Sequence, residues 1–239
     1  MNILALDTSG TTASVAVARD GFLTGEITLR HGKTHSQKLV PMMDSLIDML
    51  DLKPSDIDLC AVANGPGSFT GLRIGVVTIK AFAYALNIPV VEVSTLMALA
   101  FTLSANKGIV CPIQDARNRQ VFTGIYRTDE DDIIKIHEDA GMAIENLVDI
   151  VKTLEEPVTF IGDAVPLYKD YFKEQGINAD FATDEMFTPR AAAIARLAWF
   201  MHNKGNVTDA FSASPNYLRK SQAERMKDLK RQEIVTHDG

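Results

Sequence analysis

The sequence predicts an α/β protein in which a mixed β-sheet is flanked by helices, and three observations carry this prediction. The apolar run 3–7 ends in turn-forming residues, which is typical of a short strand. Asp20-Gly21 is a hairpin signal between two further strands. Beyond them, apolar residues recur alternately at helix and strand spacing. A hairpin meander continued by strand–helix alternation gives a mixed sheet with helices packed on it.

The predicted elements follow one another through short connections. In the first part of the chain, strands are expected at 3–7, 14–18, 22–29, 57–63 and 89–93, and helices at 39–50, 70–86 and 95–104. After a hinge at 106–108, strands are expected at 109–114, 120–126 and 158–161, and helices at 144–154, 165–174 and 189–203. Residues 129–132 are consecutive carboxylates, which predicts a solvated turn because like charges repel one another.

Composition excludes several classes of protein. With 239 residues and a hydrophobic fraction of 46%, the chain has ample material for a core, which excludes a disordered chain. A net charge of −7 argues against a surface that wraps polyanions. The chain enters a strand at once and has no apolar stretch of membrane-spanning length, so neither a signal peptide nor a membrane partner is expected. Cys60 and Cys111 lie in apolar runs and are expected to be buried thiols of a cytoplasmic protein.

One block of the sequence is far more specific than the composition. Residues 64–75 read Asn-Gly-Pro-Gly-Ser-Phe-Thr-Gly-Leu-Arg-Ile-Gly and resemble the signature of the TsaB family, also called YeaZ. Other stretches match the same family in the same order along nearly the whole chain: Leu4 to Ser9, His35-Ser36 leading to Pro41, Val93 to Leu96, Asp115-Ala116-Arg117 and Pro215 to Arg219. The resemblance implies a fold like that of actin, sugar kinases and heat-shock ATPases, with two related lobes of mixed sheets flanked by helices.

Under this resemblance the chain divides into two unequal lobes and a tail. Residues 1–103 are expected to form the N-terminal lobe, and residues 104–188 a smaller C-terminal lobe. A late helix near 189–215 is expected to pack back on the first lobe. The remaining residues, 216–239, are expected to form a charged tail.

The resemblance also implies a partner role without catalysis. TsaB proteins act in the transfer of threonylcarbamoyl to an adenosine of tRNA, together with the enzyme TsaD and the ATPase TsaE. TsaD-like sequences bind their catalytic metal through two histidines one helical turn apart. The matching positions here, Thr95 and Leu99, cannot be such ligands. The chain is therefore expected to have no catalytic or metal-binding residue, to pair with TsaD, to form a homodimer when alone and to meet tRNA through the complex.

Two other functions stay open at this point. The first is a small-molecule kinase or ATPase of the same fold, which would bind ATP near Asp7. The second is a metallopeptidase-like protein, against which Thr95 and Leu99 count directly. ATP affinity of the purified chain would separate the kinase from the partner role.

The candidate cofactor-binding residues are Asp7, Thr8 and Ser9. They follow the first strand, where the resembled fold has a phosphate loop, and an aspartate there could hold hydrated magnesium. The alternative is that Asp7 only caps a turn. Thr8 stands where many nucleotide-binding relatives have a glycine, so ATP or ADP is expected only at an interface with partners. Gly162-Asp163-Ala164 is compatible with a second phosphate loop or with a plain turn.

The candidate docking surface lies on the helix predicted at 70–86. Gly71 and Gly75 are one turn apart and would leave a strip of backbone open to close packing. The full set of predicted interface residues is His35, Gly71, Leu72, Gly75, Thr78, Ile79 and Phe82. The partner face is expected to be shared by TsaD and by a second copy of the chain. The alternative is that the helix is buried inside its own lobe.

Three other patterns carry weaker predictions. His31 and His35 have the spacing of paired metal ligands, but Gly32 places His31 in a loop and no carboxylate completes a site. Asp115 and Arg117 are either an acid with its electrostatic partner or exposed charges of a turn. The basic residues Arg219, Lys220 and Arg225 are candidates for RNA contact, the alternative being a solvated helix.

Overall fold

The computed structural model describes residues 1–30, 35–105, 107–129 and 132–219, which form two five-stranded sheets. The first sheet contains β1 (Asn2–Asp7), β2 (Ala13–Arg19), β3 (Phe22–Leu29), β4 (Leu59–Gly65) and β5 (Val90–Ser94). Between them lie α1 (His35–Met49), a 3₁₀ turn at Pro54–Asp56 and α2 (Phe69–Leu86), and β5 leads directly into α3 (Thr95–Phe101). The strand order is β3-β2-β1-β4-β5.

The second sheet follows with the same layout. Its strands are β6 (Gly108–Asp115), β7 (Gln120–Asp129), β8 (Asp132–Ala143), β9 (Val158–Ile161) and β10 (Ala179–Phe181). The helices are α4 (Ile144–Val151), α5 (Val165–Glu174) and, after a 3₁₀ turn at Asp184–Met186, α6 (Ala191–Asn203). The strand order is β10-β9-β6-β7-β8.

The two sheets repeat one topology. In the first, β1 is antiparallel to β2 and parallel to β4; in the second, β6 is antiparallel to β7 and parallel to β9. The predicted fold class, two mixed sheets flanked by helices, is confirmed. We call the first sheet with α1, α2 and α6 the first lobe, and the second sheet with α4 and α5 the second lobe.

Apolar faces decide where each helix lies. Leu39 and Ile47 of α1 join Val76 and Ile79 of α2 in one core on the first sheet. The opposite face of that sheet is covered by α6, whose Ala195 packs among small side chains of the strands. Small residues on both sides allow α6 to approach the sheet closely.

The second lobe has its own core, and α3 joins the two lobes. Phe160 of β9 stacks on Phe172 of α5 with ring centroids 4.1 Å apart. Leu96 and Leu99 of α3 pack against side chains of the second sheet, including Tyr126. Ala98 of α3 packs against the first sheet. The lobes are therefore joined by buried side chains as well as by the chain itself.

The α2 helix begins and ends at residues suited to those positions. The Ser68 side chain accepts a hydrogen bond from Gly71 N, and Asn87 takes a left-handed conformation at the C-terminal end. By length and composition α2 would be long and apolar enough to cross a membrane. Its inner face is nevertheless part of the first core, as expected for a core helix of the lobe.

Several elements differ from the sequence prediction. The strands β8 and β10 were not predicted, and α3 ends at Phe101, short of residue 104. Of the acidic run, Asp129 ends β7 and Asp132 begins β8. The domain bounds stay predictions, although all strands of the first sheet precede residue 95 and those of the second follow residue 107.

Candidate functional site

The β1–β2 turn is closed on itself and on the start of α2. Asp7 Oδ1 accepts hydrogen bonds from Ser9 N at 2.8 Å and from Ser9 Oγ at 2.7 Å. Ser68 N donates to Ser9 O at 2.6 Å, and a Cβ placed on Gly67 would lie 2.5 Å from the same oxygen. The turn and the loop before α2 are therefore in direct contact, with no room for a phosphate group between them.

Burial counts against the prediction that Asp7, Thr8 and Ser9 contact a cofactor. Each of the three is only 1% exposed. Asp7 and Thr8 therefore have almost no surface to offer a nucleotide, and Ser9 contributes only an edge to the neighbouring cleft. Asp7 Oδ2 is buried and has no hydrogen-bond partner among the residues that the structure describes. Burial raises the pKa of Asp7 to about 6, and the bonds from Ser9 oppose this shift only in part. The site is an enclosed acid within the fold.

The glycine strip of α2 faces this turn and not another molecule. A Cβ on Gly71 would collide with Thr8 O, and one on Gly75 with Thr8 Oγ1. Thr8 Oγ1 also donates to Gly71 O at 2.7 Å. The glycines thus allow close packing of the β1–β2 turn on the helix of the same chain.

The predicted interface set is therefore wrong for its buried members. Gly71, Leu72, Gly75 and Ile79 belong to the interior of the first lobe, and Phe82 packs partly against its core. Thr78 is half-buried. For the face of α2 that carries Gly71 and Gly75, the alternative stated above, a helix buried inside its own lobe, agrees with the structure.

His35 and the opposite face of α2 lie elsewhere. His35 Nε2 is 3.0 Å from Gly10 O, so this side chain braces the β1–β2 turn. On the outward face of α2, Val77 is 64% exposed and Tyr84 63% exposed. The Tyr84 ring meets the exposed Phe211 ring edge to face, with centroids 4.9 Å apart. This outward face, which includes Arg73 at its N-terminal end, is the apolar surface that α2 offers to solvent.

A polar cleft of about 570 Å³ separates the closed turn from the second lobe. Its walls come from both lobes and from the chain after α6: Ser9, Gly10, Thr11, Pro66, Gly67, Ser68, Phe69, Leu72, Gln114, Asp115, Ala116, Arg117, Phe122, Asp163, Asn216, Tyr217, Leu218 and Arg219. Gln114 is 5% exposed, and its Oε1 has no hydrogen-bond partner within the described ranges. Of the second predicted phosphate loop, Asp163 Oδ1 accepts from Asp115 N at 3.0 Å.

The β6–β7 turn at the rim of this cleft has an unusual backbone. Arg117, Asn118 and Arg119 have φ angles of 66°, 54° and 55°, three successive left-handed residues without a glycine. Asp115 Oδ1 accepts from Arg117 N at 2.8 Å, and Asp115 Oδ2 lies 3.2 Å from Arg117 Nη1. Both predicted alternatives for this pair hold in part, since the two charges are partners and lie in a turn.

The positions aligned with catalytic metal ligands lie where α3 begins. Thr95 and Leu99 are buried, and Thr95 Oγ1 has no hydrogen-bond partner. The nearby Asp139 carboxylate accepts from Ser94 Oγ at 2.6 Å and from Tyr126 OH. Within the described ranges, no group of three or more His, Cys, Asp or Glu side chains could hold a metal ion.

The remaining predicted residues are divided between the cleft and the undescribed part of the chain. Arg219 Nη1 donates to Ala116 O, so this side chain is engaged at the cleft. Lys220, Arg225 and His31 lie outside the described residues. Cys60 and Cys111 are buried free thiols whose pKa burial raises to about 12.

Sequence reasoning missed the chain segment 207–219, which we call the strap. Lys80 Nζ donates to Phe211 O at 2.6 Å, and Asn216 N donates to Asn64 O at 2.7 Å. The Tyr217 ring stacks on Phe69 with centroids 4.3 Å apart. The strap has no helical or strand periodicity in its sequence. The signals it does carry are the match at Pro215 to Arg219 and the basic Arg219, and neither of them predicts the contacts with α2 and β4.

Comparison with known proteins gives a consistent result. The family model described as TsaD, tRNA N6-adenosine threonylcarbamoyltransferase, matches residues 27–227. The tRNA threonylcarbamoyladenosine biosynthesis protein TsaB of Bacillus subtilis is 33% identical over 225 residues, which cover 94% of this chain and 96% of that protein. TsaB of Escherichia coli is 30% identical over 226 residues, with coverages of 93% and 96%.

Solved structures agree with these relatives. YeaZ from Pseudomonas aeruginosa superposes with a TM-score of 0.80 at 28% identity, covering 91% of this chain and 99% of that one. An inorganic polyphosphate/ATP-glucomannokinase from Arthrobacter has a TM-score of 0.51 at 10% identity, covering 84% of this chain and 99% of that one. The second likeness shows a shared fold alone, the sugar-kinase-like fold that was predicted.

Proposed function

The chain belongs to the TsaB family of tRNA threonylcarbamoyladenosine biosynthesis proteins, and from this premise we propose that it is the non-catalytic partner of TsaD. In this role it supports the transfer of threonylcarbamoyl to an adenosine of tRNA and performs no chemistry itself. The observation that carries the proposal is the outward face of α2, where Val77 and Tyr84 are largely exposed. Exposed apolar and aromatic side chains on one helix face are typical of a protein docking site.

The closed β1–β2 turn supports a role without nucleotide chemistry. Ser68 N bonds to Ser9 O, and Asp7 is enclosed with its charge disfavoured, so the turn has neither the space nor an accessible carboxylate for a magnesium phosphate. The kinase or ATPase alternative would need both. The metallopeptidase alternative would need ligands that Thr95 and Leu99 do not provide.

Nucleotide and further partners belong to the complex in this proposal. ATP or ADP binds where the chain meets its partners, with TsaE as the ATPase and tRNA reached through the complex. In the absence of TsaD the same outward face of α2 pairs two copies of the chain, so the homodimer competes with the heterodimer. The assembly works in the cytoplasm.

The experiment that tests the proposal measures binding to the cognate TsaD by isothermal titration calorimetry. A Val77→Asp variant places a charge in the centre of the outward face and should weaken binding by at least about tenfold. Leu167→Asp is the matched control, because Leu167 is an equally exposed aliphatic side chain (60%, against 64% for Val77) on α5 of the second lobe. Its affinity for TsaD should equal that of the unmodified chain.

Failure of the unmodified chain to bind TsaD would exclude the partner role. Normal affinity of Val77→Asp for TsaD, with an unchanged circular dichroism spectrum, would exclude the outward face of α2 as the docking surface. Micromolar ATP binding with turnover by the chain alone would favour the kinase or ATPase.

A further inference from the structure

The β6–β7 turn, which carries Arg117, has a strained backbone that is fixed by hydrogen bonds. Three successive left-handed residues without glycine cost about 1 kcal/mol each, and such backbone persists only where surrounding contacts fix it. Here those contacts are polar. Asp115 binds Arg117 N, Ala116 N donates to Gln120 O at 3.0 Å, and Gln120 N donates to Arg117 O at 3.1 Å.

The far side of the turn is fixed just as firmly. Arg119 Nε donates to Glu145 Oε1 at 2.9 Å, and Ile144 N donates to Arg119 O at 3.0 Å. From the strap, Arg219 donates to Ala116 O. The backbone of the turn is thus bound to β6, to α4 and to the strap, which fixes the Cα–Cβ direction from which the Arg117 side chain starts.

As a result, the guanidinium group of Arg117 lies in solvent at the rim of the cleft. The Arg117 side chain is 85% exposed, and its one ion pair within the described part of the chain, with Asp115 Oδ2 at 3.2 Å, uses a single nitrogen, Nη1, of the guanidinium. Asp115 therefore orients the guanidinium and leaves most of its N–H donors available to a ligand. A planar guanidinium with free N–H groups matches the oxygens of a phosphate in a bidentate fashion.

A second, independent feature of the same cleft indicates a ligand. Gln114 precedes Asp115 on β6, is almost fully buried and forms part of the cleft wall. Its Oε1 is enclosed behind that wall and has no hydrogen-bond partner among the described residues. A buried acceptor without a partner costs free energy unless a donor reaches it. A hydroxyl group is such a donor, and a ribose-phosphate carries both a hydroxyl and a phosphate.

We propose that Arg117 is a phosphate-binding residue and that the cleft rim at Gln114 and Arg117 receives a ribose-phosphate group. This inference rests on the proposed function, in which two partners carry that chemistry, the tRNA backbone and ATP. Arg117 supplies the phosphate contact, Gln114 accepts from the hydroxyl, and Asp115 is a positioning residue. Ser9, Gly10 and Thr11 of the β1–β2 turn line the same cleft, but the buried Asp7 and Thr8 are not part of this site.

The experiment uses the complex of the chain with TsaD and TsaE, titrated separately with unmodified tRNA and with ATP. Arg117→Ala should weaken binding of the true source of phosphate by about tenfold, and Arg117→Lys by less, since lysine keeps the charge but loses the fork. If the source is tRNA, the salt dependence of binding should also fall by about one phosphate contact. Arg127→Ala is the matched control, because Arg127 pairs with Glu156 within the second lobe.

Each outcome decides. A loss confined to tRNA identifies the RNA backbone as the source, and a loss confined to ATP identifies the nucleotide. Unchanged affinity for both ligands in Arg117→Ala overturns the proposal. Assembly with TsaD is measured first by gel filtration; if the unmodified chain does not assemble, the proposed function fails, and the same titrations of the isolated chain still decide the role of Arg117.

Discussion

The turns β1–β2 and β6–β7 occupy equivalent places in the two sheets, yet the chain treats them in opposite ways. The first is buried, with Thr8 pressed against Gly71 and Gly75 of α2. The second is exposed at the rim of the cleft, with a left-handed backbone and Arg117 in solvent. The same topology therefore gives a closely packed turn in the first lobe and a turn with a solvent-exposed arginine in the second.

The difference follows from what stands opposite each turn. The helix after β4 has glycines at its third and seventh positions, Gly71 and Gly75, so its backbone can approach the β1–β2 turn and leave no space at Thr8. The helix after β9 begins with Val165 and Pro166, and the loop before it contributes Asp163, whose carboxylate accepts from Asp115 N. A shared fold thus does not fix which of two equivalent turns faces a ligand.

The largest effect is expected from filling the space that the first turn occupies. Gly71→Ala should lower the free energy of unfolding by about 3 kcal/mol, because the new Cβ collides with Thr8 O. This loss would run against the better helix propensity of alanine, which is about 1 kcal/mol in its favour. Urea unfolding measures the change, with Gly10→Ala as the control because a Cβ there has no neighbour within 4 Å.

A Gly71→Ala variant as stable as the unmodified chain would show that the first turn is not closely packed. The comparison of the two turns would then fail at its first member.

The pH dependence of stability tests the enclosure of Asp7. Burial raises the pKa of Asp7 from its ordinary value of 3.8 to about 6 in the folded chain, so the folded state favours the protonated acid. This contribution is fully present below the lower pKa and is lost as the pH rises through the higher one. Relative to Asp7→Asn, the unmodified chain should therefore lose up to about 3 kcal/mol between about pH 4 and pH 7.

Urea unfolding of both proteins across this range provides the measurement. Parallel stability curves would mean that the Asp7 carboxyl is hydrated, and the β1–β2 turn would then be open to ligands after all.

The smallest effect concerns the strain in the second turn. Asn118→Gly should raise the free energy of unfolding by about 0.5 kcal/mol, because glycine adopts the left-handed conformation without the steric cost. Ala116→Gly, in the same turn but without a positive φ, should instead lower it by about 0.5 kcal/mol through added freedom of the unfolded chain. Thermal unfolding by calorimetry can detect the opposite signs. Equal signs for the two variants would contradict strain at Asn118.

Sequence reasoning was strongest where apolar periodicity was strong. The alternation up to residue 104 predicted the first sheet with α1 and α2, because buried strands and amphipathic helices leave a regular pattern. It missed β8, an edge strand whose exposed Ile134 and Ile136 mix with charged neighbours. It also missed β10, whose three residues are too few to carry a pattern.

The candidate site was harder to predict for a different reason. The spacing of Gly71 and Gly75 predicts close packing of another segment against the α2 backbone. The sequence does not show which segment that is. The nearest atoms belong to Thr8, more than sixty positions earlier in the chain. For Arg117 the sequence predicts either the electrostatic partner of Asp115 or an exposed charge of a turn. It cannot predict the left-handed backbone, which depends on contacts with β6, α4 and the strap. Local pattern cannot report such long-range geometry.

The bonds between the lobes have a consequence for cooperativity. Ser94 at the end of β5 donates to Asp139 of β8, and α3 buries Leu96 and Leu99 among side chains of the second sheet. A fluctuation that opens one lobe must therefore leave buried groups of the other without their partners. The free energies of unfolding of the two lobes are coupled in this way. A substitution that destabilises one lobe should therefore also lower the stability of the other.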